Sequence, residues 1–310
     1  MPYAVTLAIV ADRFDCVPAV ARELNGRYKF KWPLTSGRPY AGADVEQLLR
    51  QKVLVSWLLA HPLRMQQATR ELIVRGSSLW GVFREADDDD DDGRGPSAAD
   101  RAAAWWNLPE GLEHELQYRR ECILNTVASV QRHFLRLYAS RDRQCKLGYD
   151  SSAACDAFQL GQMLKFLIAK ELLFLVDFGP ASLDIVPDTS LLDVDELLAT
   201  LKQCPNYQVD KHHTNCGPQI RIKAIMDYIR SMLSANAVCI SHHDWSRRRA
   251  EATWVEPEDK TRLRDEDGRP FSFTRAIAND QRLQYEGALH ADRMARSLFT
   301  ATSWDWTPEA

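Results

Sequence analysis

One pattern governs what this chain can fold into: apolar residues recur at helical spacing along almost its whole length. It is clearest in LEHELQYRRECILNTVASVQRHFLRLY. There Leu112, Leu116, Ile123, Val127, Val130, Phe134 and Leu137 advance by threes and fours with one seven-residue gap. A half-buried strand needs alternation with a period of two instead. No such alternation of useful length occurs before Ser234. The spacing predicts an all-α chain, an irregular helical bundle with an extended C-terminal tail.

Punctuation sets the predicted elements. Leu7, Val10, Ala11 and Phe14 form a helical stripe near the start, and Pro18 opens a second helix carrying Val20, Ala21 and Leu24. A Gly- and Pro-rich loop runs from Gly26 to Gly42. Asp44 with Gln47 three residues on reads as a capping box for the helix through Trp57. His61-Pro62 breaks that helix, and the next one stops at Gly76. Further helices are expected over Phe158 to Leu175, Asp193 to Leu201 and Pro218 to Leu233. These divisions predict helices over 1–80, an acidic linker over 81–107, a helical domain over 108–235, and a charged, partly extended tail over 236–310. The tail is poorest in periodic apolar content near 245–270, and Trp304-Asp305-Trp306 is placed to pin its end to the body.

The linker contains six consecutive aspartates, Asp87 to Asp92. A calcium loop spaces its ligands around an internal glycine turn, and a solid block of like charge does not, so a solvated loop is expected. The net charge of −4 gives no basic face for nucleic acid, so direct nucleic-acid binding is not expected. No apolar run reaches the ~18–20 residues that cross a bilayer, and no signal peptide is visible. An intracellular setting, cytoplasm or nucleus, with no membrane partner, is therefore expected. Arg247-Arg248-Arg249 reads as a solvated charged segment, with a nuclear import signal as the alternative.

Seven cysteines are too few and too scattered for a disulfide framework, leaving reduced thiols or metal ligands. The chemically informative stretch is CPNYQVDKHHTNC, Cys204 to Cys216. His213-Thr214-Asn215-Cys216 has the two-residue gap that lets one turn offer two ligands to one ion. Cys145 and Cys155 precede one apolar helix, and His213 and Cys216 precede another. The candidate metal set is Cys145, Cys155, His213 and Cys216, with Cys204 and His212 as substitutes. Any ion held there would be a structural zinc. Against this set, nine residues separate Cys145 from Cys155, wider than the usual knuckle, and buried cysteines commonly serve as small hydrophobes. No catalytic motif is present: no nucleophile elbow, phosphate-binding glycine loop or zinc-protease helix.

Several of these residues also carry a resemblance. LAIVADRFDCVPAV resembles the helix pair closing the BTB/POZ domain of fungal BTB-domain proteins, where a helix of the type A-x-K-Y/F-D-C recurs. The helices from Asp44 to Gly76, the LPEGL entry at Leu108 to Leu112, Cys145 and Cys155 before Leu160-Gly161, the Cys204-Pro205 turn and the His213 to Cys216 step are similar to the region following that domain. The resemblance covers roughly residues 5–235. It implies a remnant of the BTB end without the strands and helices of the BTB core. Dimerisation through that core and cullin-adaptor activity therefore do not carry over. It also implies that Leu7, Val10 and Phe14 stay partly exposed, or pack only on Val20 and Leu24, and offer a surface for self-association. The resulting expectation is a non-enzymatic interaction or scaffold protein with an unidentified protein partner. The competing class is a transcription-associated regulator, for example of a metabolic gene cluster, acting through partners. An enzyme with an unrecognised site is the remote third.

Overall fold

The computed structural model describes residues 1–35, 43–80, 103, 105, 107–145, 147, 152–178, 188–255, 270–279 and 287–308. The expected aspartate loop and most of its linker lie outside the described residues. The fold is mostly helical, as the periodicity requires. Two compact units divide the chain, and each is built from two stretches. Met1–Arg120 joins with Asn236–Pro257, and Glu121–Ala235 joins with Glu258–Ala310.

The first unit contains α1 (Pro2–Arg13), α2 (Val17–Asn25), α3 (Ala43–Leu58) and α4 (Pro62–Arg75). It also holds the first nine residues of the long helix α5 (Leu112–Ala139). Pro62 opens α4, where its missing N–H costs nothing, and Gly76 closes it in the left-handed region at φ 87°. The side chains of α1 divide into two faces. Ala4, Val5, Ala8 and Ala11 are buried, and α1 packs on α3 through this face of small residues. Leu7, Val10 and Phe14 are exposed. The first helix thus has a partner, and the large apolar residues face away from it.

Beneath the helices lies a set of buried arginines. Arg50 on α3 is fully buried and donates to both carboxylate oxygens of Glu113, at 2.7 and 2.8 Å, and to Ser77. Arg120 donates to the carbonyls of Ile73 and Val74 at the end of α4. Arg119 makes the longest-range connections. It pairs with Glu115 at 2.6 Å and donates to the carbonyls of Ala237, Cys239 and Ala252. Its guanidinium also lies 5.0 Å from the ring centre of Trp254. Glu115 in turn accepts from the Trp254 backbone N–H and the Thr253 hydroxyl.

The division between the units coincides with the boundary expected at residue 236 but not with the one at the linker. The division passes through α5 itself, and the expected tail is shared between the units. Within residues 236–255, Val238, Ile240, Trp245 and Trp254 are buried, while residues 246–251 are exposed. A few large rings amid charged residues make a core contribution that periodicity does not register. Arg248 pairs with Asp244, and Arg249 lies over the Trp245 ring.

The second unit holds the rest of α5, then α6 (Ser152–Ala169), α7 (Val194–Leu201), α8 (Gln219–Leu233) and α12 (Gly287–Phe299). Short helices α9 (His242–Arg247) and α10 (Arg249–Ala252) belong to the first unit and α11 (Arg275–Ala278) to the second. The Asp193 carboxylate caps α7, accepting from the N–H groups of Asp195 and Glu196. Strands β1 (Phe271–Ser272) and β2 (Trp304–Asp305) pair in parallel. The rings of Phe271, Phe273, Tyr228 and Trp306 cluster there. Trp306 is buried and donates to Ser129, so the tail end is pinned as expected.

Leaving one member of a buried ion pair unmatched costs ~3–5 kcal/mol. Arg119→Met strands Glu115 in this way and frees the carbonyls of Ala237, Val238, Cys239 and Ala252. Urea unfolding is expected to show that loss as a lower midpoint, and an unchanged midpoint would contradict it.

Candidate metal centre

Cys145, Cys155, His213 and Cys216 come together in the second unit, with one donor atom from each lying within 4.8 Å of the others. Cys145 Sγ is 3.3 Å from His213 Nδ1 and 3.8 Å from Cys216 Sγ, and Cys216 Sγ is 3.9 Å from the same nitrogen. In a tetrahedron with Zn–S bonds of about 2.3 Å, two sulfurs stand about 3.8 Å apart. A disulfide would bring them to about 2.05 Å, so these are separate thiols around a common centre. The sulfurs do not point singly into apolar surroundings.

Local structure presents each donor. Cys155 lies in the first turn of α6, beside Asp156. The Asp156 carboxylate accepts from the backbone N–H groups of Gln144 at 2.9 Å and Cys145 at 3.0 Å. This fixes the loop that carries Cys145 onto the helix that carries Cys155. On the opposite loop Asn215 adopts φ 58°, the left-handed turn that brings Cys216 back beside His213. The Tyr138 hydroxyl donates to the Cys216 carbonyl at 2.6 Å, tying that turn to α5. At Gly217 a Cβ would fall 2.5 Å from Gln159 Oε1. Gln159 Nε2 holds the Tyr207 carbonyl, so the glycine leaves room for a side chain already committed elsewhere.

The histidine is oriented in the manner of a metal ligand. Nδ1 faces the sulfurs, while Nε2 lies 3.9 Å from Asp210 Oδ2. A carboxylate behind the outer nitrogen fixes ring orientation and strengthens the inner one as a donor. Asp210 is held below the usual carboxylate range by the His212 backbone N–H and also by that of His213.

The thiols are unequal. Burial, with the neighbouring thiols adding to it, pushes Cys155 up to about 12. Cys216 is raised by burial and by Cys145. Burial also acts on Cys145, but hydrogen bonds from the Leu147 backbone, Ser152 and the other two thiols outweigh it and leave this group below its ordinary value. One thiol thus ionises ahead of two that resist.

All four members of the expected set are present in the cluster. The two substitutes are not: Cys204 is buried apart, its thiol raised to about 11 by burial, and His212 is exposed. Asp156, Tyr138, Gln159 and Asp210 went unrecognised in the sequence. Only Asp210 carried a local signal, three residues before His213. Three thiolates and one imidazole make a closed set of protein ligands, the arrangement of structural rather than catalytic zinc. Compared with known proteins, the chain matches no family model, no curated protein and no solved structure.

Asp156→Ala leaves two backbone N–H groups at the site without an acceptor, at about 1–3 kcal/mol each. The thermal midpoint is expected to fall, with Cys145 becoming faster to react with a thiol-specific reagent. Metal must also displace the protons on Cys155 and Cys216, which hold them more tightly than free thiols. Affinity should therefore climb between about pH 6 and pH 8. Competition against a zinc-binding dye measures this, and a flat profile would argue against thiolate ligands.

Proposed function

We propose that this is a non-enzymatic protein-interaction protein whose second unit is closed by a structural zinc ion, and that it pairs with a second copy of itself through α1. The observation that carries the interaction role is the outer face of α1. Tyr3, Leu7, Val10 and Phe14 are spaced by four, three and four residues, and all four are exposed, Tyr3 at 93% and Phe14 at 76%. Each large apolar side chain left in water forgoes about 1.5–3 kcal/mol of burial. The spacing is that of a helix–helix seam, and one such stripe can pack against its own symmetry copy. The resemblance to the post-BTB region of fungal BTB-domain proteins agrees with a scaffold role. The closed donor set agrees with the absence of metal-centred catalysis, because four protein ligands leave no position for substrate.

The two parts are tested separately. Protein purified with zinc is expected to hold ~1 ion per chain. Cys155→Ser and His213→Ala should lose it, with a lowered thermal midpoint that a chelator reproduces in the unaltered chain. Light scattering across a concentration series should show a monomer–dimer equilibrium. Leu7→Lys and Phe14→Asp should abolish the dimer with little change in helicity. A monomer at every concentration, or a dimer indifferent to both substitutions, would overturn the self-association.

A further inference from the structure

The second unit has another concave feature, a groove of about 500 Å³ beside the C-terminal half of α5. One wall carries Arg132, His133 and Arg136, and the other carries Thr302 and Ser303, with Ser140 beyond the helix end. Arg132 and Arg136 are one helical turn apart and so share a face. We propose that this groove binds a small phosphorylated molecule, its phosphate held between the two guanidinium groups.

Two cations are kept together here, and among the described residues no carboxylate is bonded to either. Arg132 donates to the Phe178 carbonyl and to Asn125 Oδ1, neutral acceptors that orient the guanidinium without supplying a counter-charge. Among the described residues Arg136 forms no hydrogen bond or ion pair, and neither the Thr302 nor the Ser303 hydroxyl forms a hydrogen bond. Asp142 is the one carboxylate in the described lining. Asp177 acts on Arg132 from further off, and Asp305 and Arg221 act on His133 with opposite signs. Burial, and then Arg136, pulls the Arg132 guanidinium below its ordinary value. Burial likewise favours the neutral form of His133, whose Nε2 is engaged by the Thr307 hydroxyl. The described lining therefore carries one positive charge in excess, in a chain whose net charge is −4.

Two guanidinium groups on one helix face suit an anion with several oxygens, such as a phosphate. Each guanidinium offers parallel N–H donors that match two phosphate oxygens. The free hydroxyls of Thr302 and Ser303 add donors on the facing wall. The volume falls in the range of small-molecule sites, about 300–1,000 Å³, and leaves room for an organic group beyond the phosphate. The hydroxyl-rich wall favours a polar one, such as a sugar. Binding here would be independent of the zinc site and of α1.

The Trp304 indole N–H lines the groove, donates to the Leu298 carbonyl and serves as the reporter. Its resonance, assigned with Trp304→Phe, is followed in the full chain during titration with ribose 5-phosphate, inorganic phosphate and ribose. Both phosphates should shift it saturably, the sugar phosphate at lower concentration, and ribose should not. Arg136→Gln removes an exposed side chain that supports no other residue, and should weaken both roughly tenfold, the loss of one charge-assisted contact. Arg13→Gln on α1 should change neither. Absence of saturable shifts, an equal response to ribose, or binding unaffected by Arg136→Gln would overturn the site. Binding of inorganic phosphate without the sugar phosphate would overturn the ligand class.

Discussion

The first unit depends on a single guanidinium. Arg119 lies within α5, yet its donors reach the carbonyls of Ala237, Cys239 and Ala252, more than a hundred residues along the chain. Burying that charge is costly unless every donor finds an acceptor. Glu115 supplies the counter-charge and also binds the backbone of Trp254. The returning segment is thus held by its main chain, whose acceptor positions do not depend on side-chain identity. Arg120 applies the same device to the end of α4. Beside these polar ties the apolar packing is ordinary: small residues of α1 on α3, and large ones between α3 and α4.

Helices were legible where large apolar residues repeat, as in α5, α7 and α8, and where Pro or Gly marks an end, as at Pro62 and Gly76. For α1 the periodicity gave no orientation, and the exposure of Leu7, Val10 and Phe14 was expected only from the resemblance. A stripe of Leu7, Val10 and Phe14 outweighs alanines in any hydrophobic ranking, yet close helix packing selects the smaller face with Ala4, Ala8 and Ala11. Trp306 was legible as a pin, but the rings it meets escaped for a related reason. Phe271 and Phe273 are isolated rings in polar sequence, and isolated rings have no period. The buried arginines read as surface charge, because nothing local announces a carbonyl acceptor a hundred residues away.

The metal cluster was partly legible because its chemistry is local. His213 and Cys216 share one turn, and Cys145 precedes the helix in whose first turn Cys155 lies. What holds them was hidden. Asp156 looks like an ordinary acidic residue near a helix start, and its role appears only when the Gln144 and Cys145 amides turn toward it. The arginine pair of the groove was hidden too, since Arg132 and Arg136 look like the solvated face of a long helix until residues 302–304 fold opposite them.

The interleaving of the two units bears on how the chain is made. Arg119 leaves the ribosome well before its acceptors, and the last of these, Ala252, follows 133 residues later. At about 5–20 residues per second, that delay is on the order of ten seconds. During it the first unit lacks its closing segment, and by its end the stretch Glu121–Ala235 of the second unit, with all four metal donors, has been synthesised. All four metal donors are therefore made before the N-terminal helices can be closed, while the first unit is the first to have all of its residues, because the second still awaits the stretch from Glu258 onward.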